Sequence, residues 1–282
     1  MTFYDFIEIG TSDFDTELQK KDAKVGISIE PIQYYLDRLP KKDKCIQLNL
    51  GISDYNGMCT VNYLSEQTIQ EYGFPEWVRG CNSINSYHTT VTKLCVQRGI
   101  DIETISKKDS VGVSTLHTLM KNLYVGGVYF LKIDTEGHDT IILNKFYEEF
   151  QEVQHRFYLP HTIQFESNVL STSESISHTI DLFKRIGYEV RCRGEDTILA
   201  LNLKKMDNKT MYTEAINNYY IPDYPSNYRL SSLPHENTLD GAKKYCIEHN
   251  CTGITLQDGI YQVRNGKHLT YFNGDIQSWI YL

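Results

Sequence analysis

The stretch Tyr129-Phe-Leu-Lys-Ile-Asp-Thr-Glu-Gly-His138 decides the fold class of this 282-residue chain. The apolar run Val128–Ile133 predicts a buried strand, and the run ends at Asp134. A polar turn that follows a buried strand is typical of parallel sheets, in which ligands bind beyond the carboxyl ends of the strands. We therefore expect Asp134 to lie at the edge of a binding site.

Strand-like and helix-like segments alternate on both sides of this stretch. The other predicted strands are Phe3–Ile9, Val25–Ile29, Cys45–Leu50, Met58–Leu64, Thr162–Phe165, Tyr188–Cys192 and Thr197–Leu203, and the predicted helices are Ile32–Leu39, Val111–Leu123, Asp139–Phe150 and Ser175–Ile186. This order predicts an α/β fold with a mostly parallel, doubly wound sheet. The last two strands follow one another without a helix, so we expect an antiparallel edge.

Glu30 is the second candidate ligand-binding residue. It follows a predicted strand and lies about 20 residues beyond Gly10, where a carboxylate accepts hydrogen bonds from both hydroxyls of a ribose. Considered alone, Glu30 is equally well interpreted as an acid that stabilises the start of a helix. The spacing from Gly10 favours the ribose interpretation.

Together these segments resemble the FkbM family of methyltransferases. Lys132–Gly137 resembles the family's strand-end signature, Lys-Ile-Asp-x-Glu-Gly, and the resemblance covers about residues 3–203. The flanking matches, in order, are Ile29-Glu-Pro, Asn49–Gly57, Asn82-Ser-Ile, Phe165-Glu166 and Gly187-Tyr188. The resemblance implies a Rossmann-like class I methyltransferase fold, S-adenosylmethionine as the methyl donor, and methylation of a hydroxyl group.

The resemblance also implies where the donor binds. The turn Phe6–Asp15 resembles the nucleotide-proximal turn of class I methyltransferases, in which a glycine lets the backbone approach the ligand. The predicted cofactor-binding residues are Glu8, Gly10, Thr11, Ser12, Asp13, Glu30, Pro31, Gly51, Ile52, Ser53, Ser83 and Asp134.

Transfer of a methyl group to an alcohol also requires a base that removes the hydroxyl proton. Asp134 is the first candidate, either directly or as a ligand of a divalent metal ion, with Glu166 as the second metal-binding carboxylate. His138 is a further candidate catalytic residue. The polar loop Arg79–His88 either lines the acceptor site or covers the cofactor, and a plain surface loop is an equally weighted alternative.

Composition limits the classes of partner. The net charge of −8 argues against a nucleic-acid partner, because phosphates are neutralised by clustered Lys and Arg. No apolar run approaches the roughly 20 residues of a membrane span, and the amino terminus shows no signal peptide, so we expect a cytoplasmic protein. The seven cysteines are scattered without a Cys-x-x-Cys pair, which predicts neither a zinc site nor a disulfide framework.

The sequence pattern changes after the predicted methyltransferase domain, residues 1–205. Residues 206–230 read as a Tyr-rich linker, and residues 231–282 as a small module. The module is predicted to contain a helix from Asn237 or Thr238 to His249 and a three-stranded meander with turns at Asn265-Gly266 and Asn273-Gly274. We interpret it as a cap or contact module, for an acceptor glycan or for a second subunit in an oligomer.

The sequence thus predicts an S-adenosylmethionine-dependent O-methyltransferase that acts on a sugar hydroxyl of a glycan or glycan precursor. Within enzymes, the alternative acceptor is a small natural product or a lipid hydroxyl. An oxidoreductase that binds NAD, or a protein that binds a nucleotide sugar, would share the Gly10–Glu30 spacing. A noncatalytic scaffold that binds through its tail is the remaining alternative, favoured by the single glycine of the first turn.

Overall fold

The computed structural model describes residues 2–14, 16–20, 24–84, 86–153, 159–202, 215–225, 235–266, 270–272 and 274–280. The strands are β1 (Thr2–Ile9), β2 (Gly26–Ile29), β3 (Cys45–Leu48), β4 (Gly51–Ile52), β5 (Gly57–Tyr63), β6 (Ser83–Ile84), β7 (Lys107–Ser114), β8 (Val125–Ile133), β9 (Thr162–Glu166), β10 (Tyr188–Arg193), β11 (Asp196–Leu201), β12 (Ile216–Asn217), β13 (Tyr219–Tyr220), β14 (Gly253–Gln257), β15 (Ile260–Arg264), β16 (Thr270–Tyr271) and β17 (Gln277–Ile280). The helices are α1 (Gln33–Leu36), α2 (Glu66–Glu71), α3 (Thr89–Gln97), α4 (Ile102–Ile105), α5 (Leu116–Asn122), α6 (Asp139–Val153), α7 (Ser173–Arg185) and α8 (Leu239–Glu248), with 3₁₀ helices at Glu17–Gln19 and Glu76–Gly80.

The main sheet has seven strands in the order β3-β2-β1-β8-β9-β11-β10. All neighbouring strands from β3 to β9 are parallel, and β11 is antiparallel to both of its neighbours. This mixed α/β arrangement, dominated by parallel pairs, fits a Rossmann-like methyltransferase. The predicted antiparallel edge is confirmed, because the last two strands form an antiparallel pair at one edge of the sheet. The short β10–β11 hairpin folds back and places β11 between β9 and β10.

The main core lies on one face of this sheet. Buried residues of the central strands, such as Ile7, Leu131 and Ile163, pack with residues of α5, α6 and α7. The opposite face is covered near Phe6 by Leu18 of the first 3₁₀ helix and by α1 and the residues after it. The helix predicted at 32–39 is a single turn, and its covering role is shared with the 3₁₀ helix.

The strand order reverses between β1 and β8, and the two strand ends are in direct contact there. The Asp134 N–H donates a hydrogen bond to the Ile9 carbonyl at 3.0 Å. Gly10 has φ of +76°, and a Cβ atom at this position would lie 2.0 Å from the Asp134 carbonyl oxygen. The packing of the two strand ends therefore requires a glycine at this position, and the close approach to a ligand that the sequence indicates stays a prediction.

A second sheet, in the order β4-β7-β5-β6, follows β3 and was not predicted as a unit. The helix predicted at 111–123 is wrong in its first part, since residues 107–114 form β7 and only 116–122 form α5. Val111 and Val113 are buried at alternate positions of β7, which is the period of a strand. Thr115 then begins α5, because its Oγ1 accepts the N–H of Thr118.

The C-terminal part forms a separate small sheet in the order β12-β17-β14-β15. Its helix begins after Thr238 as predicted, with Thr238 Oγ1 accepting the Gly241 N–H. The predicted meander is wrong, because β14 lies between β15 and β17 and its hairpin with β15 turns at Asp258-Gly259. Both turn residues have positive φ, 52° and 74°, as a two-residue hairpin requires. Asn265-Gly266 follows β15, and Asn273 lies outside the described residues.

The described part of the predicted linker pairs with this small sheet. β12 pairs with β17, and β13 pairs with β16. The Tyr224 ring lies 4.1 Å from the Arg264 guanidinium carbon, and its hydroxyl donates to Gln262. The predicted boundary near residue 230 therefore divides strands that belong together. In the described ranges, no helix combines the length and apolar character needed to cross a membrane.

The contact between Gly10 and Asp134 leads to a prediction about stability. Gly10→Ala is expected to lower the free energy of unfolding by about 3 kcal/mol or more, because it combines a left-handed backbone with a clash against a carbonyl oxygen. Gly73→Ala is the matched control, since Gly73 also has positive φ but has open space around its Cβ position. The control should cost about 1 kcal/mol. Equal losses in denaturant titrations would contradict the close-contact interpretation.

Candidate functional site

A cleft opens at the carboxyl ends of β1, β2 and β8, where the strand order of the main sheet reverses. Its cavity volume is about 50 Å³, and the rest of the cleft is open to solvent. The lining residues are Ile9, Gly10, Ser12, Glu30, Pro31, Leu50, Gly51, Ile52, Val61, Gly80, Asn82, Ser83, Ile84, Asp134, Thr135 and Glu136. The second sheet thus supplies the wall opposite the main sheet.

Most of the predicted cofactor-binding residues line this cleft. Those that do are Gly10, Ser12, Glu30, Pro31, Gly51, Ile52, Ser83 and Asp134, and those that do not are Glu8, Thr11, Asp13 and Ser53. The sequence did not indicate the apolar contributors Leu50, Val61 and Ile84. The pattern that could have indicated them is the alternation of apolar residues along the strands of the second sheet, which was not predicted as a unit.

Among the described residues, two buried polar atoms of the cleft lining have no hydrogen-bond partner. They are Ser12 Oγ, in the first turn, and Asn82 Oδ1, in the polar loop predicted to lie over the site. Buried polar atoms are almost always paired in folded proteins, so these two are available to a polar ligand. Ser12 also has a left-handed backbone, with φ of 47°. The residues present therefore fit a ligand with polar ends.

Glu30 holds the first turn and the start of α1 together. Its Oε2 accepts the Ser12 N–H at 2.7 Å, and its Oε1 accepts the Ile32 N–H at 2.8 Å. Burial raises the pKa of Glu30 to about 7, while these two hydrogen bonds act in the opposite direction. Each carboxylate oxygen has a second lone pair, so the same group remains able to accept from ligand hydroxyls.

Glu8 is buried beside the cleft rather than in it. Its Oε2 accepts the Glu17 N–H at 2.6 Å, and its Oε1 accepts the Ser28 hydroxyl at 2.5 Å and the Leu18 N–H at 3.4 Å. Burial raises the pKa of Glu8, and the hydrogen bonds lower it. The carboxylate thus fixes the first 3₁₀ helix against β2, and its predicted contact with a cofactor is not supported by its position.

Asp13 has a similar structural role. Its carboxylate is 2.9 Å from Arg38 Nε and 3.2 Å from Arg79 Nη2, and its side chain is only 3% exposed. Both arginines also reach Glu66 of α2. The acidic residue of the first turn therefore joins this turn to the loop that contains Arg79. Thr11 is also turned away, since its hydroxyl donates to the Ser12 carbonyl.

Asp134 lines the cleft and has an unusual proton affinity. Its side chain is 46% exposed, and one carboxylate oxygen lies 3.9 Å from Lys132 Nζ. Partial burial raises the pKa of Asp134 to about 7 in spite of Lys132. The negative charges of Asp139, Glu136 and Asp196 add to this increase. Near neutral pH the group is therefore able both to accept and to release a proton.

Glu166 and His138, the other predicted catalytic residues, do not line the cleft. Glu166 accepts a hydrogen bond from Asn168, and burial together with the charge of Glu136 raises its pKa to about 8. His138 Nε2 lies 2.8 Å from Ser53 Oγ, and burial lowers the pKa of the His138 ring. This pair links the end of β4 to the motif after β8, and the catalytic role of His138 stays a prediction.

The geometry also bears on the predicted metal site at Asp134 and Glu166. Within the described residues, neither carboxylate belongs to a cluster of three closely spaced ligand atoms. Such a cluster occurs at Cys81, His88 and Glu136, whose ligand atoms lie within 4.8 Å of one another. Burial raises the pKa of the Cys81 thiol to about 12, and the charges of Glu136 and Glu166 contribute.

Asp139 holds the loop that follows β8 in place. Its Oδ2 accepts the N–H and the hydroxyl of Thr135, at 3.2 and 2.8 Å, and its Oδ1 accepts the Glu166 N–H at 3.1 Å. The side chain is fully buried, and burial raises the pKa of Asp139 to about 6 against the effect of these bonds. The ends of β8 and β9 are thus joined by one carboxylate.

Comparison with protein families gives one match. A family model described as a methyltransferase FkbM domain matches residues 8–190, which is well over half of the chain. Neither the curated proteins nor the solved structures contain a match.

The hydrogen bonds of Asp139 lead to a prediction. Asp139→Asn retains the shape but turns an NH₂ group towards the N–H of either Thr135 or Glu166. The unpaired donors should lower the free energy of unfolding by about 2 kcal/mol. Asp181→Asn on the exposed side of α7 is the control and should change it by less than about 0.5 kcal/mol. Equal stability of the two variants in urea would contradict the structural role of Asp139.

Proposed function

The chain belongs to the FkbM methyltransferase family, and we propose that it transfers the methyl group of S-adenosylmethionine to a hydroxyl oxygen of a sugar, on a glycan or glycan precursor. The observation that carries this proposal is the cleft at the strand-order reversal. There, within the described part of the chain, Ser12 Oγ and Asn82 Oδ1 are buried without hydrogen-bond partners, and Glu30 lines the same cleft.

The residues of the cleft suit the parts of the donor. Glu30 is placed to accept from the ribose hydroxyls, as an acid at the end of the second strand does in Rossmann-like sites. Ser12 Oγ is available for the polar methionine end. Pro31, Ile52 and Val61 supply apolar surface for a flat base.

S-adenosylmethionine supplies a sulfonium methyl group that reacts by in-line displacement. The acceptor oxygen forms the new bond to the methyl carbon, and the carbon–sulfur bond breaks with its electron pair going to sulfur. Asp134 takes the hydroxyl proton, since it lines the cleft and titrates near neutral pH. The rest of the site contributes by positioning the two substrates and excluding water.

A sugar acceptor is supported by the surface near the mouth of the cleft. Trp77 is 51% exposed in the 3₁₀ helix that ends at Gly80, a lining residue. Phe14 is 44% exposed, and its ring lies beside the same glycine. The Glu136 carboxylate also lies near this glycine, and an exposed ring close to a polar group suits the apolar face and the hydroxyls of a sugar.

The ribose assignment is tested with Glu30→Gln. The variant should bind S-adenosylhomocysteine about 10- to 100-fold more weakly, because hydrogen bonds to an ionised carboxylate are lost. Wild type should show a similar loss for an analogue without the ribose hydroxyls, whereas the variant should not discriminate between the two ligands. Glu71→Gln, on the surface of α2, is the control. Full discrimination by the variant in calorimetric titrations would contradict the assignment.

The role of Asp134 is tested by the pH dependence of methyl transfer to a panel of mono- and oligosaccharides. Only the ionised carboxylate accepts a proton, so the rate should rise through pH 7 and level off above about pH 8. Asp134→Asn should abolish transfer but leave S-adenosylhomocysteine binding intact.

Asp196→Asn is the matched variant for this pH profile. It removes a negative charge that raises the pKa of Asp134, so the midpoint should move to lower pH while transfer continues. An unchanged rate in Asp134→Asn would exclude Asp134 as the base. Transfer to lipid or natural-product hydroxyls, with none to the sugars, would contradict the proposed acceptor.

A further inference from the structure

Three side chains with different ligand atoms converge at the rim of the cleft. Cys81 follows the 3₁₀ helix Glu76–Gly80, His88 immediately precedes α3, and Glu136 belongs to the loop after β8. His88 Nε2 lies 3.1 Å from Glu136 Oε2, and the three ligand atoms lie within 4.8 Å of one another. Residues from separate parts of the chain are thus brought to one point.

The surroundings of this cluster leave its polar atoms incompletely paired. The His88 side chain is 4% exposed, and its Nδ1 atom is buried with no hydrogen-bond partner among the residues that the structure describes. Glu166 Oε2, whose negative charge acts on Cys81, is also buried without a partner. An enclosed imidazole in contact with one carboxylate, next to a thiol on which a second carboxylate acts, is a set of groups that a metal cation can bind.

The chemistry of the ligand atoms selects the class of cation. Sulfur and imidazole nitrogen are preferred by zinc and similar transition metals, whereas magnesium and calcium prefer oxygen ligands. In a tetrahedral zinc site, adjacent ligand atoms lie about 3.3–3.8 Å apart, as follows from bond lengths of about 2.0–2.3 Å. The separations in the cluster, 4.8 Å at most, exceed this range by no more than about 1.0–1.5 Å, so the side chains have to move closer together to bind the ion.

We propose that Cys81, His88 and Glu136 bind a zinc ion at the rim of the cleft and leave its fourth coordination position open. Three protein ligands with one open position are typical of catalytic zinc sites. Glu136 and Asn82, the neighbour of Cys81, line the cleft, so the ion would border the space into which an acceptor enters. A cation here lowers the pKa of an adjacent hydroxyl, and this last step rests on the proposed function.

The first experiment measures metal binding alone. The full chain is treated with a chelator, dialysed, and titrated with Zn²⁺ in competition with a chromophoric chelator, and Co²⁺ is added in parallel. We expect one tight equivalent and a thiolate-to-cobalt charge-transfer band. Cys81→Ser and His88→Gln should each weaken binding by at least about 100-fold, since even outer-shell changes cost 10- to 100-fold. Cys45→Ser and His161→Gln, outside the cluster, should bind as wild type.

A second experiment does not depend on the folding of variants. Wild-type protein is alkylated with and without Zn²⁺, and each cysteine is quantified by mass spectrometry. Zn²⁺ should protect Cys81 at least about tenfold relative to the exposed Cys192. Absence of a tight equivalent, or equal alkylation of Cys81 in both samples, would overturn the proposal.

Binding of S-adenosylhomocysteine separates this inference from the proposed function. His88→Gln should retain that binding but lose Zn²⁺ binding and most methyl transfer. Tight Zn²⁺ binding by a wild-type chain that does not bind S-adenosylhomocysteine would leave the metal site standing and contradict the proposed function. A wild-type chain that binds S-adenosylhomocysteine but does not bind Zn²⁺ would overturn the metal site and leave the proposed function standing.

Discussion

Buried carboxylates hold the loops at the carboxyl edge of the main sheet through backbone N–H groups. Glu8 accepts from the first 3₁₀ helix, Glu30 from the first turn and the start of α1, and Asp139 from the loops after β8 and β9. A buried charge is costly unless hydrogen bonds compensate it, so these loops remain in the few conformations that supply donors. The cleft depends on this constraint, because its floor and one wall consist of the loops so held.

The signature after β8 was the most informative part of the sequence. It predicted correctly that Asp134 lies at a strand end in a cleft with Ser12 and Glu30, because strand period, loop polarity and the topology of parallel sheets act together there. Glu8 and Asp13 were predicted to contact the ligand because they are acidic residues in or next to the first turn. Their partners are backbone amides and arginines whose proximity is fixed only by the tertiary fold.

Other errors have local physical causes. The apolar residues of β7 and α5 follow one another directly, so their combined pattern resembles that of one helix. Thr115 separates the two elements, because its Oγ1 caps the start of α5. In the C-terminal part, Asp258-Gly259 and the two Asn-Gly pairs all favour a hairpin turn, so the sequence does not show which of them joins two paired strands. The pairing of β14 with both β15 and β17 settles the strand order. The second sheet was missed because two of its four strands have only two residues each.

The Asp13–Arg79 ion pair connects the first turn, which lines the cleft at Ser12, to the polar loop, which lines it at Asn82. Tyr35 adds a second connection, since its hydroxyl donates to the Arg79 carbonyl at 3.0 Å. A ligand that orders the turn therefore also orders the loop in part. Less conformational entropy of the loop is then lost when a second ligand binds. For a methyltransferase that acts as proposed above, this coupling favours sequential addition, with the donor bound before the acceptor.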